Sequence, residues 1–301
     1  MSATGSSYVS VLKDRGVVSV TGPDAEKLLG GLVTNDIALL EGAPAIYAAL
    51  LAPQGKILFD FLIVKTADGF LLDTARDKAA DLVKRLSLYK LRAQAEIRDV
   101  SDSFSVAALW GGTLVSSGQA ERSSIYPDPR LPTLGARMIA ETVRVGDALA
   151  ATGGAEVPSE AYHRHRIGLG VPEGGRDFAF GDTFPHEALL DQLNGVSFSK
   201  GCYVGQEVVS RMQHRTTVRK RVVPVVAEQD LPMGPLAVLA GEAEIGRLGS
   251  VAGPRGLALL RLDRVAEARR DGVELTVNGV KLAAEVPAFA TFEIGLPHET
   301  A

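Results

Sequence analysis

Apolar and polar positions along the chain change period several times, and each change predicts an element. Gly16-Val17-Val18-Ser19-Val20 reads as a short strand, and Gly22-Pro23-Asp24 as a helix start with proline at its first position. Leu28, Leu29, Leu32 and Val33 recur at helical spacing until Thr34-Asn35-Asp36 supplies a polar stop. An apolar run from Ala45 to Ala52 breaks at Pro53-Gln54-Gly55-Lys56, resumes over Ile57 to Thr66, and passes through Ala67-Asp68-Gly69 into Phe70-Leu71-Leu72. This pattern predicts antiparallel strands joined by tight turns. Asp77 to Lys90 sets Ala80, Leu82, Val83 and Leu86 on one helical stripe, after which Ala95 to Val100 and Phe104 to Trp110 return to strand-like composition. Gly111 to Pro132, rich in Gly, Ser and Pro, reads as surface loop, and Gly153-Gly154 to Pro158 as a break before Ser159 caps a helix. Beyond Arg221, short apolar runs are separated by Pro232, Gly234, Gly241, Gly246, Gly249 and Gly253, with an Asn278-Gly279 hairpin turn. That spacing predicts a small terminal β-barrel or sandwich. Strands and helices mix without strict βαβ alternation, so the fold class is α+β. The expected division is a body over 1–222, with seams near 42, 111–132 and 153–158, and a β-barrel over 223–301.

Composition narrows the function. A chain of 301 residues holds two or three packed units. With 46% apolar and 23% charged residues, global disorder is excluded. No apolar run approaches the roughly 20 residues a membrane helix needs, and Met1 to Ser10 lacks the basic-then-apolar layout of an export signal. A cytoplasmic address without membrane contact is the expectation. The one cysteine, Cys202, excludes an internal disulfide and by itself cannot supply the thiolates of a structural zinc or iron–sulfur site. A net charge of −4 provides no global attraction to nucleic acid.

Chemistry concentrates in Ser199-Lys200-Gly201-Cys202-Tyr203-Val204-Gly205-Gln206-Glu207. Gly201 and Gly205 permit sharp backbone conformations around the thiol. A helix starting near Gly205 would offer free amides and a dipole that favour negative charge just before it. Lys200 and the downstream cations act in the same direction, lowering the thiol pKa. The alternative is a cysteine that is merely a small buried apolar side chain. Glu207 and Arg211, four apart, are either site residues or a surface helix pair worth roughly 0.3 to 0.5 kcal/mol. Arg211, His214, Arg215, Arg219, Lys220 and Arg221 form either a solvated face or a site for an anionic small molecule; no aromatic residue lies among them to stack bases. His163 and His165, two apart, are poor metal ligands on a helix. Tyr162 and Arg166 share a helical face, fit either to flank an aromatic heterocycle with a carboxylate tail or to join an ordinary ion-paired helix.

The run from Lys200 to Glu207, the preceding Gly195-Val196-Ser197-Phe198, and the stretch from Tyr162 through Gly170-Val171-Pro172-Glu173-Gly174 to Arg176-Asp177 resemble the folate-binding YgfZ family and its mitochondrial iron–sulfur assembly relatives. Gly31 to Asp36, Pro53 to Lys56 and Arg219-Lys220-Arg221 extend the resemblance over about residues 16–225. It implies a fold similar to the glycine-cleavage T-protein, an aminomethyltransferase that uses tetrahydrofolate: a folate-binding body with a terminal antiparallel barrel. It also implies a role in maturing or repairing 4Fe–4S clusters of client enzymes, among them radical-SAM proteins that modify tRNA, so the link to tRNA is indirect. On this resemblance Cys202 is the functional thiol and Lys200 its cation. Gly201 and Gly205 shape the loop, while Tyr203, Gln206 and Glu207 fix it against the cavity. Asn35, Asp36, Tyr162, Arg166 and Arg211 line a site for tetrahydrofolate or another folate. With one thiol, an iron–sulfur cluster is held only transiently, Cys202 sharing it with a scaffold, a client or a small thiol. Two departures separate the chain from the transferases. Phe59-Asp60 keeps one acid where they show a pair, and Gly168 stands where an acid is expected to bind the pterin. The expectation is an assembly factor; the alternatives are a tetrahydrofolate-dependent one-carbon transferase and a direct tRNA-binding protein.

Overall fold

Short apolar runs, buried along most of their length, build the longer strands in the computed structural model, which describes residues 6–112, 123–215 and 218–295. Strands β1 (Ser7–Val11) and β2 (Arg15–Thr21) precede helix α1 (Ala25–Gly30), and β3 (Ala45–Leu51), β4 (Ile57–Thr66) and β5 (Gly69–Ala75) precede α2 (Ala79–Lys90). Then come β6 (Glu96–Asp99), β7 (Phe104–Gly111), β8 (Ser123–Pro127), β9 (Ala136–Glu141), α3 (Val145–Ala150), β10 (Ala155–Glu156), α4 (Ser159–Leu169) and α5 (Gln206–Arg215). The chain continues through β11 (Lys220–Val226), β12 (Ala237–Ala240), β13 (Ala243–Ala252), β14 (Arg255–Arg261), α6 (Leu262–Asp271), β15 (Leu275–Val277) and β16 (Val280–Ala284).

These elements form two compact units. The first gathers the residues up to Ala52, Leu58–Tyr162 and Leu193–Val204; the second gathers Pro53–Ile57, His163–Gln192 and the chain from Gly205 onward. The second unit therefore reaches beyond the barrel, whose first strand begins at Lys220, to take in Pro53–Ile57 and His163–Gln192.

The first unit holds two five-stranded sheets, ordered β3-β4-β5-β2-β6 and β10-β1-β7-β9-β8. In the former, Val18, Val20, Phe61, Ile63, Phe70 and Leu72 meet Leu29 of α1 and Leu82 and Leu86 of α2 in one core. Helix α1 is shorter than the leucine spacing predicts: Val33 leaves it to bridge Leu50. Asp36, expected as a stop, instead caps a 3-10 turn over Ile37–Glu41 by accepting from the Ala38 amide. Past the end of α2, Leu91 takes φ 44° and ψ −105°, a conformation that costs a non-glycine residue on the order of 1–3 kcal/mol.

The stretch expected as loop over 111–132 contains strand β8, which pairs with β9 from Ser123↔Ala140 to Pro127↔Ala136; residues 113–122 lie outside the described residues. An edge position tolerates the serines and proline that argued against a strand. Gly135, at φ 91°, turns the chain into β9, and a Cβ there would lie 2.1 Å from the Leu109 carbonyl oxygen. Gly135→Ala is therefore expected to lose at least about 1–3 kcal/mol. Urea unfolding checks this, and an unshifted midpoint contradicts it.

In the second unit, β11-β14-β13-β12-β15-β16 close into a barrel, which decides between barrel and sandwich. Asn278 at φ 47° and Gly279 at φ 80° make the β15–β16 hairpin as their residue types predict. Helix α6 was not foreseen from the sequence. Its Leu262, Val265 and Ala268 are buried in the barrel core, and the intervening Arg264, Arg269 and Arg270 mask that stripe. No helix among the described residues is long and apolar enough to cross a membrane.

Candidate functional site

The thiol-bearing loop, Leu193–Val204, is fastened to the first unit by a chain of hydrogen bonds. Thr34 donates its hydroxyl to the Gly195 carbonyl at 2.6 Å, and the Ser197 amide donates to the Thr34 carbonyl at 3.0 Å. The Asn35 amide nitrogen donates to the carbonyls of Tyr47 and Asn194, at 2.8 and 2.7 Å. Asn194 in turn donates to the Pro129 carbonyl at 3.1 Å. The strongest fastening is Lys200, whose Nζ donates to the carbonyls of Gly30, Val33 and Asn35 at 2.9, 2.7 and 2.9 Å. The Gly30 carbonyl closes α1, where backbone acceptors lack a partner within the helix and a cation is favoured. Cys202 is exposed at the far end of the same loop.

This geometry revises the part expected of Lys200. All three ammonium protons serve backbone carbonyls, so the side chain is a staple that presents the thiol and is not aimed at sulfur. Burial pulls its pKa down to about 8, with the Asp36 charge opposing. The Tyr203 ring lies 5.1 Å from Lys200 Nζ, and burial raises its phenol to about 12. Gly205 sits at φ 82°, as a sharp turn requires. Gly201 shows no such need: it is absent from the positive-φ glycines, and a Cβ there meets nothing within 4 Å.

Asn35 spends its side-chain polar atoms on backbone, and Asp36 spends one carboxylate oxygen so. The Asn35 carbonyl oxygen accepts the Asp36 amide at 2.8 Å, and an Asp36 carboxylate oxygen accepts the Ala38 amide at 3.0 Å. Through these bonds Asn35 positions the loop, and Asp36 caps the turn beside it. Through Tyr47 the network continues inward, since the Tyr47 hydroxyl donates to Asp60 at 2.9 Å, and the Arg130 guanidinium lies 5.7 Å from the Tyr47 ring centre. Arg130 makes a bidentate pair with Asp128 at 2.9 and 2.7 Å, and Arg137 reaches the same carboxylate at 3.3 Å. Both arginines donate to the Tyr162 hydroxyl, at 3.3 and 2.9 Å. Arg137 also lies 3.6 Å from Asp73, which binds Arg15 at 2.6 Å. Burial alone would raise the Asp128 carboxyl; Arg130's charge and hydrogen bonds, with the charge of Arg137, overcome it and hold the pKa at about 2. Tyr162, expected to flank a heterocycle, is 1% exposed, and its ring packs edge-on against Trp110.

Sequence reasoning missed Arg15, Asp73, Asp128, Arg130 and Arg137. The available signal was charge at inward strand positions: Asp73 within Leu71-Leu72-Asp73-Thr74, and Arg137 within Ala136-Arg137-Met138-Ile139.

Other predicted residues fall in the second unit. Arg166 is buried; it donates to Asp177 at 2.7 Å, to the Val171 carbonyl at 3.1 Å and to the Ser250 hydroxyl at 2.7 Å. Asp177 also accepts the amides of Glu173 and Ser250, at 2.9 and 2.7 Å. Arg166 thus knots the 163–177 segment to β13, with no guanidinium edge turned to solvent. Arg211 and Glu207, on α5 beside Gln206, form a 3.2 Å pair with side chains 61% and 88% exposed. That is the surface helix pair, worth about 0.3–0.5 kcal/mol. The basic run does not form one solvated face, because Arg221 is buried in a bidentate pair with Asp191 at 2.8 and 2.9 Å.

Two family models match the chain: the GCVT N-terminal domain over residues 12–113 and the CAF17 C-terminal beta-barrel domain over 219–292. The human protein named iron-sulfur cluster assembly factor IBA57, mitochondrial, is 34% identical over 278 residues, covering 84% of this chain and 77% of its own. The IBA57 homologues of Neurospora crassa and Mycosarcoma maydis are 34% and 38% identical. The alignments cover 71% and 70% of this chain, which spans only 52% and 55% of those fungal proteins. The crystal structure of glycine cleavage system aminomethyltransferase T from Bartonella henselae superposes with a TM-score of 0.75 at 18% identity, over 95% of this chain and 86% of that one. It establishes an aminomethyltransferase-like fold. The relatives overturn the expectation of a cytoplasmic address, since each is named a mitochondrial protein. Composition is silent on compartment, because the same aqueous physics folds a chain in either place.

Proposed function

Because the chain belongs to the family of the iron-sulfur cluster assembly factors IBA57, we propose that it serves the assembly or repair of 4Fe–4S clusters in client enzymes and is not a one-carbon transferase. The observation that carries this reading is Cys202, exposed on a loop that Lys200 fastens to three carbonyls. An exposed thiol on a rigid support suits brief coordination of iron. A four-iron cluster takes several thiolates, and a chain with one cysteine reaches that number only with a scaffold, a client or a small thiol supplying the rest. The cluster is therefore cargo, and partnership follows from the count.

The run from Lys200 to Glu207 supports a place beside the YgfZ-type folate binders within this family. The first unit offers chemistry that suits a pterin, which presents alternating donors and acceptors along one edge. Asp60 is a buried acceptor joined to Tyr47, and Arg130 is a buried donor beside the same ring. These residues would hold a folate, and the folate would supply the donor and acceptor edge of its pterin. Asp60 stands without the second acid that a transferase would use to manage an amine's proton, its neighbour being Phe59. Direct nucleic-acid contact is no part of this reading, and client enzymes that modify tRNA connect it to tRNA only indirectly.

The test is depletion of the protein followed by assay of several 4Fe–4S enzymes. Wild type is expected to restore them and Cys202→Ser to leave them near depleted levels, with both proteins equally abundant. Full rescue by Cys202→Ser would overturn the role of the thiol. Catalytic turnover of tetrahydrofolate with an aminomethyl donor would favour the transferase instead.

A further inference from the structure

Helix α2 buries Ala79, Leu82 and Leu86 and leaves its other side to solvent. On that side Leu88 is 69% exposed, and Leu91, just past the helix, is 88% exposed. Leu91 combines this exposure with the left-handed φ of 44°. Glycine would adopt that backbone without strain, and a polar side chain would suit the solvent better. Neither local conformation nor internal packing therefore accounts for leucine at this position, and an observed backbone outlier points to a use.

Beside it lies a groove of about 450 Å³ between the ends of α1 and α2, lined by Lys27, Leu28, Leu32, Tyr89, Lys90 and Arg92. Its carboxylate, Asp24, already accepts the Gln94 amide at 2.7 Å. Among the described residues, Lys27, Arg85, Lys90 and Arg92 form no ion pair, whereas Lys84 is paired with Asp81 at 3.0 Å. The groove thus offers apolar surface with three cations, Lys27, Lys90 and Arg92, on its lining against the one carboxylate of Asp24. We propose that it docks an acidic segment of a partner protein, which seats an apolar side chain against Leu91 while its carboxylates meet Lys27, Lys90 and Arg92. The concavity favours a peptide over a bilayer, because a lipid surface is best met by a convex patch. This site rests on the first unit's surface alone and stands independently of the cluster-assembly reading.

The probe is a short fluorescein-labelled peptide of glutamate and aspartate carrying two leucines one helical turn apart, titrated with the full chain at low salt and followed by anisotropy. Saturable binding is expected, weakening steeply toward physiological salt. Leu91→Gly and the double variant Lys90→Glu, Arg92→Glu are each expected to weaken it about tenfold, about 1.4 kcal/mol. Leu91→Gly should also melt no lower than wild type, because it relieves the backbone, which separates lost docking from lost folding. Absence of saturable binding by wild type, or undiminished binding by Leu91→Gly, overturns the proposal. So does Leu91-dependent binding to phosphatidylserine vesicles, or Leu91-dependent dimerisation in sedimentation, where the peptide does not bind.

Discussion

Asp128→Ala is expected to lose on the order of 3–5 kcal/mol of folding stability, the cost of leaving a buried ion pair half-made. Asp128 is 4% exposed and takes three bonds from Arg130, two from its guanidinium and one from its backbone amide, and one from Arg137; the arginines are 6% and 2% exposed. Removing the carboxylate strands two guanidinium groups with little water to solvate them. Arg137 keeps Asp73 at 3.6 Å, and both arginines keep the Tyr162 hydroxyl, so the lower end of that range is the firmer expectation. Urea unfolding at neutral pH is the measurement, and a loss below about 1 kcal/mol would mean that the site relaxes or hydrates. Acid titration provides an independent reading with a definite sign. The folded pKa of about 2 lies below the ordinary 3.8, so the unfolded chain binds more protons in that window. Stability from this group is complete above about pH 4 and drains away as the pH falls through 2. In Asp128→Ala that part of the acid sensitivity should be missing.

Lys200→Met is the second large effect, with an expected loss of about 2–4 kcal/mol. A hydrogen bond to a charged group contributes roughly 1.5–3 kcal/mol, and three are removed here, at 2.9, 2.7 and 2.9 Å. The side chain is only partly buried, so water recovers a share of them. Lys200→Arg should not restore the loss, because a planar guanidinium fork cannot point three donors at three converging carbonyls as an ammonium does. The functional consequence reaches further than the stability. With the staple gone, Leu193–Val204 should exchange its amides faster and Cys202 should react faster with a thiol reagent, while 4Fe–4S enzyme activities fall as they do for Cys202→Ser. A Lys200→Met protein with wild-type stability and wild-type thiol reactivity would refute the staple.

Apolar runs and turn chemistry made much of the architecture legible in advance. Strands β2 to β5 and β7 coincide with apolar runs bounded by Gly, Pro and Asp, and the hairpin at Asn278-Gly279 sits where both residues tolerate positive φ. Strand β8 was hidden because pairing to β9, and not its own serine-rich composition, makes it a strand. Helix α6 was hidden because its apolar stripe is narrow and flanked by arginines. The site was half legible. A cation next to a thiol can be read from Lys200-Gly201-Cys202, but its acceptors lie 165 to 170 residues upstream, beyond any local pattern. The same holds for Arg15 and Asp73, partners across 58 residues. Residue type announces that a charge exists; only the closed fold shows where it is spent.

The first unit takes its final piece from Leu193–Val204, after the chain has crossed into the second unit at His163. On a ribosome, synthesis runs from the amino end, so a nascent chain stopping short of Gly195 leaves the Thr34 hydroxyl and the carbonyls of Gly30, Val33 and Asn35 waiting for their partners. The thiol can be offered in its fixed posture only by a polypeptide that already carries everything before it. A product released before Leu193 lacks both the closing segment of the first unit and the thiol that this segment carries.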